Sequence, residues 1–171
     1  TAETPNFSKV IGLDLLPTSE IEILKNEAPK NFEYIEVTDR DYLCTGVADS
    51  SVDFVFSFGV FCHLPNSAIS TYIDSIYKKL KPGGEALLMF ADFFKRKKYA
   101  PFDLVDDKLG HIDKILIDYD LQDQCRESNT FWGWFWMDHE TLNNILNDSN
   151  FSSHQDVSPK RCRDAIIHLR K

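Results

Sequence analysis

The sequence is poor in glycine, with seven in 171 residues, and G-x-G-x-G occurs nowhere. That absence removes the local backbone cradle on which many nucleotide and phosphate sites are built. Its four cysteines, Cys44, Cys62, Cys125 and Cys162, include no C-x-x-C pair and no regular spacing. The scatter argues against a disulfide framework or a structural zinc site, and reduced thiols in a cytoplasmic protein are expected. The five histidines add no ligand cluster, so no metal is expected. No apolar run is long enough to span a bilayer, and the opening Thr1 to Pro5 has neither the charged start nor the apolar stretch of a signal peptide. Basic charge is scarce too: 19 Lys and Arg face 27 Asp and Glu, a formal net charge of -8. Wholesale binding to a nucleic-acid backbone, which clustered Lys and Arg drive, is therefore not expected, although a small anionic ligand on a local patch is compatible.

With 43% apolar and 13% aromatic residues, the chain can bury a core of its own, and its length suits one domain. KVIGLDL, Lys9 to Leu15, is a short strand-like run ending near Asp14. Pro17 to Ser19 make a turn and cap for a helix that Pro29 stops, and NFEYIEV, Asn31 to Val37, alternates as a second strand. Ser51 to Val60, SVDFVFSFGV, is nearly continuous in apolar residues, the pattern of a parallel strand covered on both faces. A helix is expected from about Ser67, with Ile69, Ile73, Ile76 and Leu80 on its apolar face and Pro82-Gly83-Gly84 as its stop. EALLMF, Glu85 to Phe90, is the next strand. Asp138 caps a helix carrying Leu142, Ile145 and Leu146, and DAIIHL, Asp164 to Leu169, is the last strand. Strands alternating with helices imply an α/β sheet with crossover connections. Residues 112–121 read equally as helix or strand, and residues 91–137 as a whole read as an insertion.

Three features fall in register: Asp14 at the end of one strand, Asp39 after the next, and SVDFVFSFGVFCHLP followed by a helix and KKLKPGGEALLMF. This succession, over residues 9–90, resembles the class I S-adenosylmethionine-dependent methyltransferases. The resemblance implies a mostly parallel, doubly wound Rossmann-like α/β sheet with an antiparallel last strand. It implies S-adenosylmethionine as cofactor, S-adenosylhomocysteine as product and a small-molecule acceptor, with no nucleic-acid or membrane partner. Cofactor contacts would fall at Asp14 and Leu15, at Asp39 and Arg40, and at Ser57, Phe58 and Gly59. A carboxylate at a strand's C-terminal end can accept hydrogen bonds from both ribose hydroxyls, in the crevice where open α/β sheets bind ligands. The family's first strand and its glycine-rich turn have no counterpart here. Without that strand two long edges would be exposed, so upstream sequence, a partner's strand, or closure of the two sheet halves is expected to cover them.

Each candidate has a plainer reading. Asp14 can be a turn residue, Asp41 offers the same chemistry as Asp39, and a strand glycine such as Gly59 can mark a bulge. His63 can be a base or a pocket wall, and Asp92, just past the strand ending at Phe90, faces the acceptor side. These two are the catalytic candidates; His111 and His139 cannot be placed. Lys95 to Lys98 is a solvated run or a greeting for an anionic acceptor. Trp132, Trp134 and Trp136 divide between core and a lid or acceptor pocket, where aromatic faces suit a sulfonium or a sugar. SFGVF is not the Asn- or Asp-Pro-Pro-aromatic sequence of base-methylating members, so a nucleobase amino group is a poor acceptor. The expected function is methyl transfer to a small molecule, with residues 91–137 capping the acceptor site in a single domain. The alternatives are a non-catalytic module of the same fold and, more weakly, a nicotinamide-dependent oxidoreductase.

Overall fold

A computed structural model of the chain describes residues 7–17, 29–37, 42–92, 94–95, 137–160, 162 and 164–171. The expected helix at 19–28, the ambiguous stretch 112–121 and the tryptophan-rich run 131–136 lie outside them. The chain divides into two compact units, Thr1–Val47 and Ala48–Lys171.

The first unit holds two parallel strands, β1 (Val10–Asp14) and β2 (Phe32–Glu36), in register from Val10 opposite Phe32 to Asp14 opposite Glu36. Both strands sit where the sequence places them, the first in the apolar run of residues 9–15 and the second in the alternating run of residues 31–37. The Phe32 ring lies over Gly12 so closely that a Cβ there would meet it at 2.9 Å. Glycine at that position therefore makes room for the ring.

The second unit carries β3 (Val52–Ser57), a helix α1 (Asn66–Lys79), β4 (Leu80–Phe90), a helix α2 (His139–Asp148), β5 (Ser153–Asp156) and β6 (Ala165–Arg170). The sheet order is β3-β4-β6-β5, with β3 and β4 parallel and the other two pairings antiparallel. The expected antiparallel last strand is thus observed, and β5 is an addition. Its sequence, Ser-His-Gln-Asp, has no apolar alternation; it is a strand because its backbone pairs with β6 from Ser153–Arg170 to Asp156–Ile167.

Pleating puts Ala86, Leu88 and Phe90 of β4 on one face beside Ala165, Ile167 and Leu169 of β6. Ile69, Ile73 and Ile76 of α1 and Leu142 and Leu146 of α2 bury against them in one core cluster. Each such side chain contributes roughly 1.5–3 kcal/mol on burial. Every buried apolar side chain among the described residues belongs to this second unit. The opposite face is different. Phe54 and Phe56, opposite Glu85 and Leu87, are 42% and 64% exposed, which corrects the expectation that this strand is covered on both faces. The reason is position: β3 is the edge of the four-stranded sheet, and both described helices pack on the face of Val55 and Ala86.

The Leu-Lys-Pro-Gly-Gly segment also behaves differently from expectation. α1 ends at Lys79, before the proline, and the segment forms the irregular start of β4. The register passes from Val52–Leu80 directly to Phe54–Glu85, so the glycines lie in a bulge. Gly83 has φ +76°, and a Cβ on Gly84 would come within 3.2 Å of the Asp53 carbonyl and 2.9 Å of that of Lys81. The C-terminus of α1 is instead closed by Lys171, whose Nζ donates to the carbonyls of Tyr77 (2.8 Å) and Leu80 (2.7 Å) and lies 4.4 Å from the Tyr77 ring centroid. A cation is favoured at that end of a helix dipole. Lys171→Met is expected to lower unfolding free energy by about 1–3 kcal/mol, because two carbonyls lose a charged donor. Urea denaturation should show a lower midpoint at unchanged slope; an unmoved midpoint would deny the cap a role.

Candidate functional site

Because β3 and β4 are parallel, with Ser57 beside Leu88, both chains leave the sheet on one rim, the C-terminal one. After β3 the backbone turns through Phe58, Gly59 and Val60 into a 3-10 turn, Phe61–His63. Gly59 has φ +76°, a left-handed conformation that L side chains avoid, and no atom lies within 4 Å of the place its Cβ would occupy. The glycine is therefore demanded by the backbone, and space beside it is open. Phe58 and Val60 are 63% and 40% exposed on either side. Phe61 holds the turn down. Its buried ring packs at 5.0 Å on Phe90, the last residue of β4, and edge-on at 5.3 Å to Tyr72 of α1. His63 ends this turn with an exposed side chain, its backbone N–H donating to the Val60 carbonyl at 2.9 Å.

Asp92 lies two residues beyond β4 and is 2% exposed. Its backbone bridges in parallel to Met137, whose N–H donates to the Ala91 carbonyl at 2.9 Å. That bridge brings the start of α2 to the rim. Asp138 caps the helix as expected, its Oδ1 accepting from the Thr141 N–H at 2.8 Å and its Oδ2 lying 3.0 Å from the Thr141 hydroxyl. The next residue, His139, places Nε2 3.3 Å from Asp92 Oδ2 while half its side chain remains exposed. Asp92 Oδ1 accepts from the Lys95 N–H at 2.8 Å. Its Oδ2 is buried and, among the described residues, accepts no aligned hydrogen bond, so the imidazole is an ion-pair neighbour rather than a fully formed donor. Phe94, 52% exposed, stacks on His139 at 6.1 Å between centroids and 13° between planes.

His139 is the residue that sequence reasoning missed. Its partner stands far off in the chain, and among the described residues the Asp92–Met137 bridge brings the two together. The helix cap at Asp138 was the available signal, since it fixes where the next side chain starts.

In the first unit Asp14 ends β1, exposed. Its Oδ1 accepts from the Leu16 N–H at 3.1 Å, a local turn bond that leaves the carboxylate further acceptor capacity. Leu15 is 58% exposed. The Tyr34 hydroxyl donates to the Leu16 carbonyl at 2.6 Å, and burial together with the carboxylates of Asp14 and Glu36 pushes the phenol above its ordinary pKa. Asp39, Arg40 and Asp41 lie outside the described residues, as do Arg96 to Lys98 and most of 91–137.

Lys95 does not stand as a solvated cation. Its Nζ pairs with Asp156 Oδ2 and bonds Ser158 Oγ at 2.8 Å, tying the rim to the edge strand β5. Burial raises the Asp156 carboxyl, but Lys95 and the Ser158 hydroxyl and N–H outweigh it, and the group is held below the usual carboxylate range. A depressed pKa contributes stability above the unfolded value and loses it as pH falls through the folded one. Asp156→Asn should therefore flatten the acid limb of a melting-temperature profile below about pH 4, with the wild-type and variant curves converging at low pH. Parallel curves throughout would show that the pair has no linkage to folding.

A family model described as "Methyltransferase domain" matches residues 2–88, half of the chain, and the chain belongs to that family. None of the curated proteins matches it. Solved structures do, at a level of identity that establishes the fold alone. A Pyrococcus horikoshii protein superposes with a TM-score of 0.62 at 14% identity, over 95% of this chain and 71% of its own. The Burkholderia thailandensis 1,6-didemethyltoxoflavin-N1-methyltransferase, with 1,6-didemethyltoxoflavin and S-adenosylhomocysteine bound, gives 0.57 at 15%, over 95% and 61%. Human N-acetylserotonin methyltransferase, in complex with S-adenosylmethionine, gives 0.55 at 15%, over 95% and 40%. The expected methyltransferase-type α/β fold is thereby established. The chain spans about half the length of matched structures from Bordetella parapertussis (53%) and Nostoc punctiforme (45%).

Proposed function

We propose that the chain transfers the methyl group of S-adenosylmethionine to a small-molecule acceptor and releases S-adenosylhomocysteine. The observation that carries this reading is the C-terminal rim of the β3–β4 pair, where an open left-handed glycine turn and a buried carboxylate leave the sheet together. Open α/β sheets bind their ligands beyond such strand ends. Membership of the methyltransferase family supports it, and the cofactors held by the Burkholderia and human structures point the same way.

Each unit, taken by itself, offers groups of the kind the cofactor needs. Asp14 offers an exposed carboxylate at a strand end for ribose hydroxyls, with Leu15 beside it. Gly59 leaves room for close approach, with Ser57 and Phe58 preceding it. Asp39 and Arg40 complete the proposed contacts. When bound, the cofactor supplies an electrophilic sulfonium methyl group. The protein's part is alignment, water exclusion and proton removal where the acceptor needs it. Asp92 is proposed on the acceptor side, with His63 as the other candidate. Residues 91–137 are proposed as the cap over that side, in a cytoplasmic protein. The Burkholderia enzyme's bound 1,6-didemethyltoxoflavin supports a small-molecule acceptor class.

Calorimetric titration of the chain with S-adenosylhomocysteine tests this. Saturable binding is expected, weakened about tenfold or more in Asp14→Ala, since losing hydrogen bonds to a charged acceptor costs about 1.5–3 kcal/mol. No heat of binding from the folded chain would favour the non-catalytic module, and binding of NADH instead would favour the oxidoreductase.

A further inference from the structure

We propose that His139 is the proton acceptor for a hydroxyl-bearing planar acceptor, and that Asp92 is its positioning residue; this rests on the methyl-transfer reading above. Three observations converge. A carboxylate 2% exposed keeps one oxygen buried with no aligned hydrogen bond among the described residues, a costly arrangement unless a cation is to form beside it. The ring nitrogen facing that oxygen, at 3.3 Å, belongs to a side chain that is otherwise half exposed at the rim. And the backbone on both sides of the pair is fixed, by the Lys95 N–H to Asp92 Oδ1, the Met137 bridge and the Asp138 cap.

Nε2 lies 3.3 Å from the buried Asp92 Oδ2, so a small ring rotation would align an Nε2–H with that oxygen and leave the lone pair on Nδ1. A carboxylate that fixes the tautomer and stabilises the imidazolium is the logic of an acid–base pair with an orienting third group. His139 Nδ1 takes the hydroxyl proton and becomes imidazolium. The oxygen's freed electron pair forms the O–C bond, the C–S bonding pair leaves with sulfur as a neutral thioether, and the ring returns its proton to water. A neutral amine attacks through a lone pair it already has, whereas a hydroxyl oxygen gains nucleophilicity as its proton leaves. The dyad therefore selects O–H acceptors. Phe94, parallel to the imidazole and 52% exposed, gives that acceptor a flat apolar wall, which favours a phenol or enol over an aliphatic alcohol.

The test needs neither turnover nor the natural acceptor. Nitrogen-15 spectra of the histidine-labelled chain read which ring nitrogen carries the proton. His139 is expected as the Nε2–H tautomer, moving to a mixture in Asp92→Asn. 4-Nitrophenol, buffered below its own pKa, is then added with and without saturating S-adenosylhomocysteine, and the visible phenolate band is recorded. The wild type should generate the band, His139→Gln should lose it, and His154→Gln on β5 should keep it. His139→Gln should still bind S-adenosylhomocysteine with wild-type affinity, separating loss of the base from loss of fold. An Nδ1–H tautomer in the wild type, or a band that survives His139→Gln, overturns the dyad. Failure to bind S-adenosylhomocysteine with tautomer and band intact sinks the methyl-transfer reading and leaves the dyad standing.

Discussion

The structure of the larger unit depends on the pairing of β4 with two neighbours at once. Parallel pairing with β3 aligns two chain exits on the same rim, while antiparallel pairing with β6 brings the C-terminal strand across the core. Everything else attaches to one of these. α1 and α2 bury their isoleucines and leucines against the face that Ala86, Leu88 and Phe90 share with β6. The turn after β3 is anchored by Phe61 on Phe90, and the start of α2 is delivered to the rim by the bridge from Asp92. A register slip of one residue in β4 would turn its buried residues outward and move both exits together.

Where the sequence carried a periodic signal, fold and structure agree. The isoleucines of α1 recur at helical spacing, Asp138 announces α2, and β6 is a clear run of strand formers. What was not legible follows from forces that no local window contains. β5 is held by main-chain bonds to an edge, so its polar side chains gave no hint. Pro82-Gly83-Gly84 looks like a helix stop, yet Gly83 answers to a left-handed φ and Gly84 to the close passage of the Lys81 and Asp53 carbonyls. The phenylalanines of β3 read as fully buried because an apolar run does not record how many neighbours a strand has.

The candidate site divides in the same way. The places of Asp14, Gly59 and Asp92 at or just past strand ends were legible because strand ends are predictable from local pattern. Lys95 read as a surface charge, although its contacts with Asp156 and Ser158 make it a strut for the edge strand. For His139 the Asp138 cap marked where the side chain starts but not its partner, because a pair between residues far apart in the chain is a property of topology and not of spacing.

Met137, Asp138 and His139 are consecutive, and they serve three purposes: strand bridge, helix cap and ring contact with Asp92. The first turn of a helix has few internal hydrogen bonds and opens at far lower free energy than a core does. Warming would therefore loosen the imidazole from its carboxylate while Leu142 and Leu146 still hold the rest of α2 in place. The temperature at which that contact is lost is then set by one capped turn, and the melting point of the sheet behind it is a poor guide to that limit.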